Sequence, residues 1–207
     1  MTINLHKNPT NPSLSEVAYC LKSGGVALLP TDTVYGLAAS LHHENATKSI
    51  FKIKNRPEEK NLPILVSKVE QLIELNVDLN QNVRALTQSP LVPGALTIVS
   101  GINYRNHHFP SLREREEVAF RIPKHDLLLK VIDQVGPLLV TSANVSGQDT
   151  RENIERILQE LKMAPDIIYN DGPLGKISST IVNCRHEKPI IEREGLITEK
   201  QLAKYLE

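Results

Sequence analysis

The sequence has little aromatic character and no excess of charge. It contains no tryptophan, and phenylalanine and tyrosine make up 4% of its 207 residues. Platforms on which the bases of single-stranded nucleic acid stack are therefore not indicated. The 24 basic and 24 acidic residues cancel, which argues against a protein that binds nucleic acid through overall basicity. A local basic strip is still compatible with this composition.

The sequence also lacks paired cysteines and long hydrophobic runs. Cys20 and Cys184 are far apart and stand in no metal-binding or redox spacing, which suits a reducing cytosol. The first twelve residues have no apolar core of signal-peptide length, and no run approaches a membrane span. We therefore expect a soluble cytoplasmic protein, and a chain of this length predicts one domain over residues 1–207.

Helical and extended patterns interleave along the chain. An apolar run at Val26–Leu29 leads into a hydroxyl-rich strand, Thr31–Leu37, and a helix capped by Asn45 ends at Arg56-Pro57. Several predicted strands are too closely spaced for pure βαβ winding. The pattern predicts an α/β fold with a single twisted, mixed, open sheet flanked by helices.

Three polar segments follow or terminate apolar strands, namely Thr31–Tyr35, Thr141–Ser146 and Ser178–Thr180. Strand ends are where ligands collect in α/β folds, because the scaffold fixes the polar groups while the loops adapt. For each segment alone, a turn whose hydroxyl and amide side chains satisfy the backbone is the favoured interpretation. Three such segments together favour a binding site.

A basic cluster closes the helix that follows the first of these segments. Lys54, Arg56 and Lys60 are suited to clamp phosphate, since guanidinium binds it as a fork and ammonium as a point charge. The alternative is a solvated helix end paired with Glu58 and Glu59. Because the Walker and dinucleotide glycine patterns are absent, side chains would have to hold any nucleotide.

Neither a metal site nor a covalent nucleophile is indicated. The pairs His42-His43 and His107-His108 lack a cysteine or carboxylate at ligand spacing, which favours a structural or surface role. Ser142 and Ser146 do not stand in a nucleophile elbow. Positioning and charge stabilisation would have to carry a reaction. Residues 100–117 form a long aperiodic segment, which is typical of functional or mobile loops.

Taken in order, these motifs resemble the YrdC family of threonylcarbamoyl-AMP synthases in its short form. The main matches are Pro30–Leu37, Lys54-Asn55-Arg56-Pro57 with Lys60, and Ser142–Gly147. Supporting matches are Pro93-Gly94, Val118–Pro123, Ser179–Val182 and Arg193-Glu194-Gly195. Together they extend over a core of about residues 13–197. Some positions depart from the family pattern: many members have glutamate at Asp32, longer relatives often have histidine at Leu65 and asparagine at Lys60, and a common threonine before the Arg121 strand reads Glu117.

The resemblance implies a YrdC-like fold with a concave, positively charged groove. It implies synthesis of L-threonylcarbamoyladenylate and pyrophosphate from L-threonine, bicarbonate and ATP with Mg²⁺. The product would pass to the threonylcarbamoyl transferase complex that forms N6-threonylcarbamoyladenosine at position 37 of tRNA. Two alternatives remain open, a YciO-like paralogue without synthase activity and a protein that binds double-stranded RNA or tRNA.

The resemblance also implies roles for individual residues. Lys54 and Arg56 would be catalytic, and Thr33, Arg121 and Ser179 would bind L-threonine. The ATP side would be lined by Arg56, Lys60, Ser142, Asn144 and Arg193. No protein side chain is expected to bind a metal directly, since Mg²⁺ would arrive with ATP.

Overall fold

The computed structural model describes residues 11–57, 60–103 and 109–206. The helices in this part of the chain are α1 (Leu14–Lys22), α2 (Glu44–Lys54), α3 (Val69–Glu74), α4 (Gln81–Thr87), α5 (Asp126–Val135), α6 (Ile154–Glu160) and α7 (Glu199–Leu202). The strands are β1 (Ala27–Leu29), β2 (Gly36–Ser40), β3 (Ile64–Leu65), β4 (Leu96–Gly101), β5 (Glu117–Arg121), β6 (Leu138–Ser142), β7 (Ile167–Ile168), β8 (Thr180–Asn183) and β9 (Ile190–Arg193). Short 3₁₀ turns lie at Pro110–Leu112 and Ala203–Tyr205.

These strands form one open mixed sheet in the order β7-β1-β2-β6-β3-β5-β4-β8-β9. The pairs β1–β7, β3–β5 and β4–β8 are parallel. The remaining pairs are antiparallel, including β1 with β2, which follow each other closely along the chain. The predicted fold class, a mixed α/β sheet flanked by helices, is confirmed.

The two faces of the sheet bury different sets of side chains. Along β4 and β5, Leu96, Ile98, Val118 and Phe120 enter the larger core, and the alternate residues face the other way. On that second face α1 and α5 pack over β1, β2 and β6. The helices α1 and α5 do not cover the second face over β5, β4 and β8. The open part of the sheet is where the polar residues of the site lie.

The segment Thr31–Tyr35, predicted as a strand, is instead a turn between β1 and β2. The Thr31 hydroxyl accepts hydrogen bonds from the backbone N–H groups of Thr33 (3.0 Å) and Val34 (3.1 Å) and donates to Val34 O (2.6 Å). Local side-chain bonds of this kind compete with strand pairing and bend the backbone. The strand begins only at Gly36.

The helix that carries the basic cluster begins one residue earlier than its predicted cap. The N-cap of α2 is His43 and not Asn45, and the His43 side chain caps no backbone group. Its Nε2 instead lies 2.7 Å from Lys22 O. The C-terminal prediction was better: Asn55 adopts a left-handed conformation with φ of 51°, and α2 ends there, just before Arg56-Pro57.

The long segment predicted over residues 100–117 is only partly aperiodic. Its ends belong to β4 and β5, and Pro110–Leu112 form a 3₁₀ turn. The pair His107-His108 lies outside the described residues, so its predicted role and the closing of this segment as a lid stay predictions. His42 packs edge-on against Phe109, with ring centroids 4.9 Å apart. In the described ranges no cluster of three metal-binding side chains occurs, and no helix is long and apolar enough to cross a membrane.

Candidate functional site

The three polar segments meet at one cavity of about 420 Å³ on the open face of the sheet. Its apolar floor comes from alternate residues of the strands, and hydroxyl groups and arginines surround that floor. The lining includes Thr31, Thr33, Tyr35, Arg56, Asn61, Leu65, Thr97, Val99, Glu117, Ala119, Arg121, Val140, Ser142, Ser179, Ile181, Glu192 and Arg193. Six of the predicted site residues therefore border the same space, namely Thr33, Arg56, Arg121, Ser142, Ser179 and Arg193.

Arg121 is the most firmly held of these residues. Its side chain is 7% exposed, and each of its three nitrogen atoms donates to a different group. Nε donates to Gly94 O (2.8 Å), Nη1 to the Thr33 hydroxyl (2.9 Å) and Nη2 to Asp32 Oδ1 (2.6 Å). The predicted Pro93-Gly94 turn thus positions Arg121 from one side and the Thr31–Tyr35 turn from the other.

Ser179 and Arg193 form the neighbouring wall of this end. The Ser179 hydroxyl lies 2.8 Å from the Thr97 hydroxyl, and Ser179 O accepts from Arg193 Nε (3.2 Å) and Nη2 (2.8 Å). Burial lowers the pKa of Arg193, and the nearby positive charge of Arg121 lowers it further. We name the part of the cavity formed by Thr33, Arg121, Ser179 and Arg193 the Arg121 end.

Arg56 approaches the cavity from the end of α2. Its Nε donates to Lys60 O and its Nη2 to Asn61 O, both at 3.2 Å. Burial lowers the pKa of this guanidinium as well. The Lys60 side chain is exposed and does not line the cavity. Its predicted contact with ATP stays a prediction, while its carbonyl helps to orient Arg56.

Lys54 is buried and lies away from the cavity lining. It is 1% exposed, and its Nζ donates to Ser142 O, Asn144 O (2.8 Å) and Asn144 Oδ1 (3.1 Å). Burial lowers the pKa of Lys54 to about 7, with a smaller contribution from the charge of Arg56. Burial favours the neutral amine, whereas the three acceptors suit the three N–H groups of an ammonium ion. Each form of the Lys54 amine is therefore stabilised by part of its environment. Its predicted catalytic role stays a prediction.

Ser142 and Asn144 are tied into the loop that Lys54 supports. The Ser142 hydroxyl donates to Asn144 Oδ1 (2.5 Å), and Asn144 Nδ2 donates to Gln148 O (2.5 Å). Ser142 borders the cavity, whereas the amide of Asn144 is used within the loop. The predicted Ser-x-Asn pair therefore divides into one cavity residue and one residue that shapes the loop.

Sequence reasoning missed several residues that border or support the site. Thr97 and Tyr35 line the cavity, and the buried Tyr35 hydroxyl donates to Gly172 O (2.7 Å) while accepting from Asp171 N (2.9 Å). Asp32 pairs with Arg121. Two of these, Asp32 and Tyr35, stand within the Pro30–Leu37 motif, so the signal that marked Thr33 marked them too.

Acidic groups also reach the cavity. Glu117 lines it and pairs with Arg185 (2.5 Å), and Glu192 accepts from Asn183 Nδ2 (2.7 Å). Glu117 is four positions from Arg121 in β5, which corresponds to about 13 Å along the strand. The described lining thus combines three arginines with two glutamates, and the predicted net positive charge of the groove stays a prediction.

Comparison with known proteins places the chain among relatives of similar fold. Residues 19–195 match the family described as "Sua5_yciO_yrdC: Telomere recombination". A threonylcarbamoyl-AMP synthase of Bacillus subtilis is 30% identical over 194 residues, which are 93% of this chain and 56% of the relative.

Two solved structures are also similar. The crystal structure of Pyrococcus abyssi Sua5 complexed with L-threonine has a TM-score of 0.83 and 28% identity, and the match covers 93% of this chain and 57% of that one. The crystal structure of Escherichia coli YciO has a TM-score of 0.75 and 25% identity, with 91% and 93% covered. The chain thus spans little more than half the length of these two synthase relatives and nearly all of YciO. The chain belongs to the Sua5/YciO/YrdC family, as its motifs indicated.

Proposed function

We propose that this protein is a threonylcarbamoyl-AMP synthase, a nucleotidyltransferase that joins L-threonine, bicarbonate and ATP. The observation that carries the proposal is the convergence of Thr33, Arg56, Arg121, Ser142, Ser179 and Arg193 on one cavity. A relative that matches 93% of this chain was crystallised with L-threonine, which supports an amino-acid substrate. The B. subtilis relative carries the name of the synthase.

The amino acid would bind at the Arg121 end. Its carboxylate is a planar anion that matches guanidinium geometry, and the hydroxyls of Thr33 and Ser179 supply partners for its amine and hydroxyl groups. Both hydroxyls are buried and already oriented, Thr33 by Arg121 and Ser179 by Thr97. Preorganisation of this kind lowers the entropic cost of binding a small polar ligand.

The triphosphate would bind on the side of Arg56 and Ser142, and Arg193, at the border with the Arg121 end, would reach only its α-phosphate. Arg56 is held by two backbone carbonyls and has no carboxylate partner among the described residues, so its charge is available to phosphate. We propose that Lys54 and Asn144 act through the loop that carries Ser142, and that Lys60 approaches ATP from the exposed rim. Lys54 would then be a positioning residue.

The chemistry fits a site without a covalent nucleophile. The threonine amine adds to the carbon of CO₂ with loss of a proton, or to that of bicarbonate with loss of water. An oxygen of the resulting carbamate then attacks the α-phosphorus of ATP. The bond to the bridging oxygen breaks, and pyrophosphate departs with its electron pair. Negative charge grows on the phosphoryl oxygens, where Arg56 and Arg193 would stabilise it.

We propose that Mg²⁺ enters with ATP. The described carboxylates of the cavity, Glu117 and Glu192, are already bonded to Arg185 and Asn183, so the residues fit a metal held by phosphate oxygens and water better than a protein cage. When bound, the ion would neutralise charge on the phosphates. The side chains would position the two substrates.

The product would serve the transferase complex that modifies adenosine 37 of tRNA. We propose that the reaction occurs in the cytoplasm, since Cys20 and Cys184 are free thiols. We also propose one domain over residues 1–207 with a core of about 13–197, because a single sheet collects strands from Ala27 to Arg193. The proposal includes direct contact with RNA or tRNA.

A YciO-like role is the second candidate, and one observation favours it. The match to YciO covers 93% of that chain, against 56% of the B. subtilis synthase, 57% of P. abyssi Sua5 and 87% of a putative synthase of Mycobacterium leprae. Mass spectrometry of a reaction with ¹³C-bicarbonate, ATP and L-threonine separates the two functions. The synthase forms ¹³C-labelled threonylcarbamoyladenylate, and absence of any labelled adenylate from folded protein with Mg²⁺ would favour the YciO-like role.

A further inference from the structure

The Arg121 end holds two arginines and one carboxylate. Arg121 and Asp32 form an ion pair of 2.6 Å whose side chains are 7% and 14% exposed. A buried cation and anion at this distance behave towards other charges as a nearly neutral dipole. Of the two guanidinium groups that border this end, only Arg121 is neutralised by an ion pair; Glu192 also lines the cavity, but it bonds to Asn183 and forms no ion pair with Arg193 among the described residues.

Arg193 and Arg56 differ from Arg121 in this respect. In the ranges that the structure describes, neither has a carboxylate within ion-pair distance, and both donate to backbone carbonyls. Burial lowers the pKa of each, so each gains from an anionic ligand. The cavity thus has two uncompensated cations, one on the Arg56 side and one at the Arg121 end.

We propose that Asp32 determines which anion binds at the Arg121 end. By neutralising Arg121, it leaves one net positive charge there, which matches the single negative charge of an amino-acid carboxylate. Pyrophosphate and the triphosphate of ATP carry several negative charges, and most of these would stay uncompensated at this end. The inference rests on the proposed function, because it sorts that reaction's substrates.

The physical basis is a repulsive element and not an added attraction. A partly buried site rejects a multiply charged anion when its cations are too few to replace the lost hydration. Asp32 adds a negative charge beside Arg121 and so raises the cost for polyanions more than for a carboxylate. The result would keep the amino-acid end clear while pyrophosphate accumulates as a product.

The test measures pyrophosphate binding by titration calorimetry. In the wild type we expect one pyrophosphate, displaced by ATP and not by L-threonine. In Asp32→Asn we expect a second pyrophosphate to bind at the Arg121 end and to be displaced by L-threonine. The affinity of pyrophosphate for that end should be about tenfold or more higher than in the wild type. Asp32→Glu keeps the charge and should bind one pyrophosphate, as the wild type does.

A matched control removes an ion pair outside the cavity. Glu160→Gln breaks the ion pair between Arg151 and Glu160 (2.7 Å). This variant should bind one pyrophosphate, as the wild type does. Displacement of pyrophosphate by L-threonine in the wild type, or a single site in folded Asp32→Asn, would overturn the proposal. If Asp32→Asn does not fold, the test is whether L-threonine displaces pyrophosphate from the wild type and from Asp32→Glu. Displacement from either protein would overturn the proposal. If the wild type binds no L-threonine, the proposed function fails, and the stoichiometry of Asp32→Asn still decides the role of Asp32.

Discussion

At the scale of single residues, Arg121 connects more of the site than any sequence motif indicates. It bonds to the turn before β4 and to the turn after β1, and it reaches the cavity between them. Asp32 and Arg121 are 89 positions apart, so no spacing rule predicts their pairing. Family resemblance predicts Arg121 as a substrate residue, but only the folded chain shows its ion-pair partner, Asp32.

Replacement of Arg121 by alanine should affect the two substrates unequally. The change removes a guanidinium from the amino-acid end and leaves the Asp32 carboxylate unpaired, so a substrate carboxylate would be repelled. Hydrogen bonds to charged groups contribute about 1.5 to 3 kcal/mol, so we expect KM for L-threonine to rise by about 10- to 100-fold. KM for ATP should change much less. The exposed Arg84→Ala serves as the control, and equal rises in both KM values would contradict the assignment.

Lys54 gives a pH-dependent prediction for stability. The folded lysine releases its proton near pH 7, whereas in the unfolded chain the pKa is near 10.5. Between these values the unfolded state binds more protons, so the free energy of unfolding rises with pH, by at most about 1.4 kcal/mol per pH unit. Urea unfolding from pH 6.5 to 9 should therefore show the wild type gaining stability relative to Lys54→Met. A constant difference between the two proteins would show that Lys54 keeps its proton.

At the scale of secondary structure, sequence patterns predicted most elements and missed those set by side-chain hydrogen bonds. In α5, Asp126–Val135, the apolar residues of the sequence lie on the one face that packs against the sheet. The Thr31–Tyr35 segment failed, since β-branched residues favour strands in general while the Thr31 hydroxyl here captures two backbone N–H groups. The prediction that Asn45 caps α2 was wrong. The N-cap is His43, whose side chain bonds to Lys22 O, a group outside that helix.

The β8 and β9 region depends on the close approach of Gly195 to the chain before β8. A Cβ atom at Gly195 would lie 2.3 Å from Ser178 O and 2.6 Å from the Ser179 carbonyl carbon. Gly195→Ala must displace the segment that carries Ser179, so we expect a loss of about 1 to 3 kcal/mol in unfolding free energy and a higher KM for L-threonine. Gly101→Ala is the matched control, because its Cβ would meet Asp78 Cβ at an ordinary 3.6 Å. Wild-type values for Gly195→Ala would contradict this account.

At the scale of the whole molecule, the sheet order explains why residues distant in sequence share one cavity. β5 lies between β3 and β4, and β8 follows β4, so three polar segments that are far apart in the chain border the same face. The sequence predicted that such segments would meet at strand ends. It did not predict that Lys54 is buried beneath the Ser142 loop, because burial depends on packing between α2 and a loop about 90 residues later.

The central claim is that this cavity joins L-threonine to the nucleotide. The most direct measurement is pyrophosphate release from ATP and bicarbonate in the presence of Mg²⁺, with and without L-threonine. We predict release that requires L-threonine, that is much weaker with serine or valine, and that is lost in Arg56→Ala while the fold is retained. Release that is independent of L-threonine, or none from the folded wild type, would contradict the account.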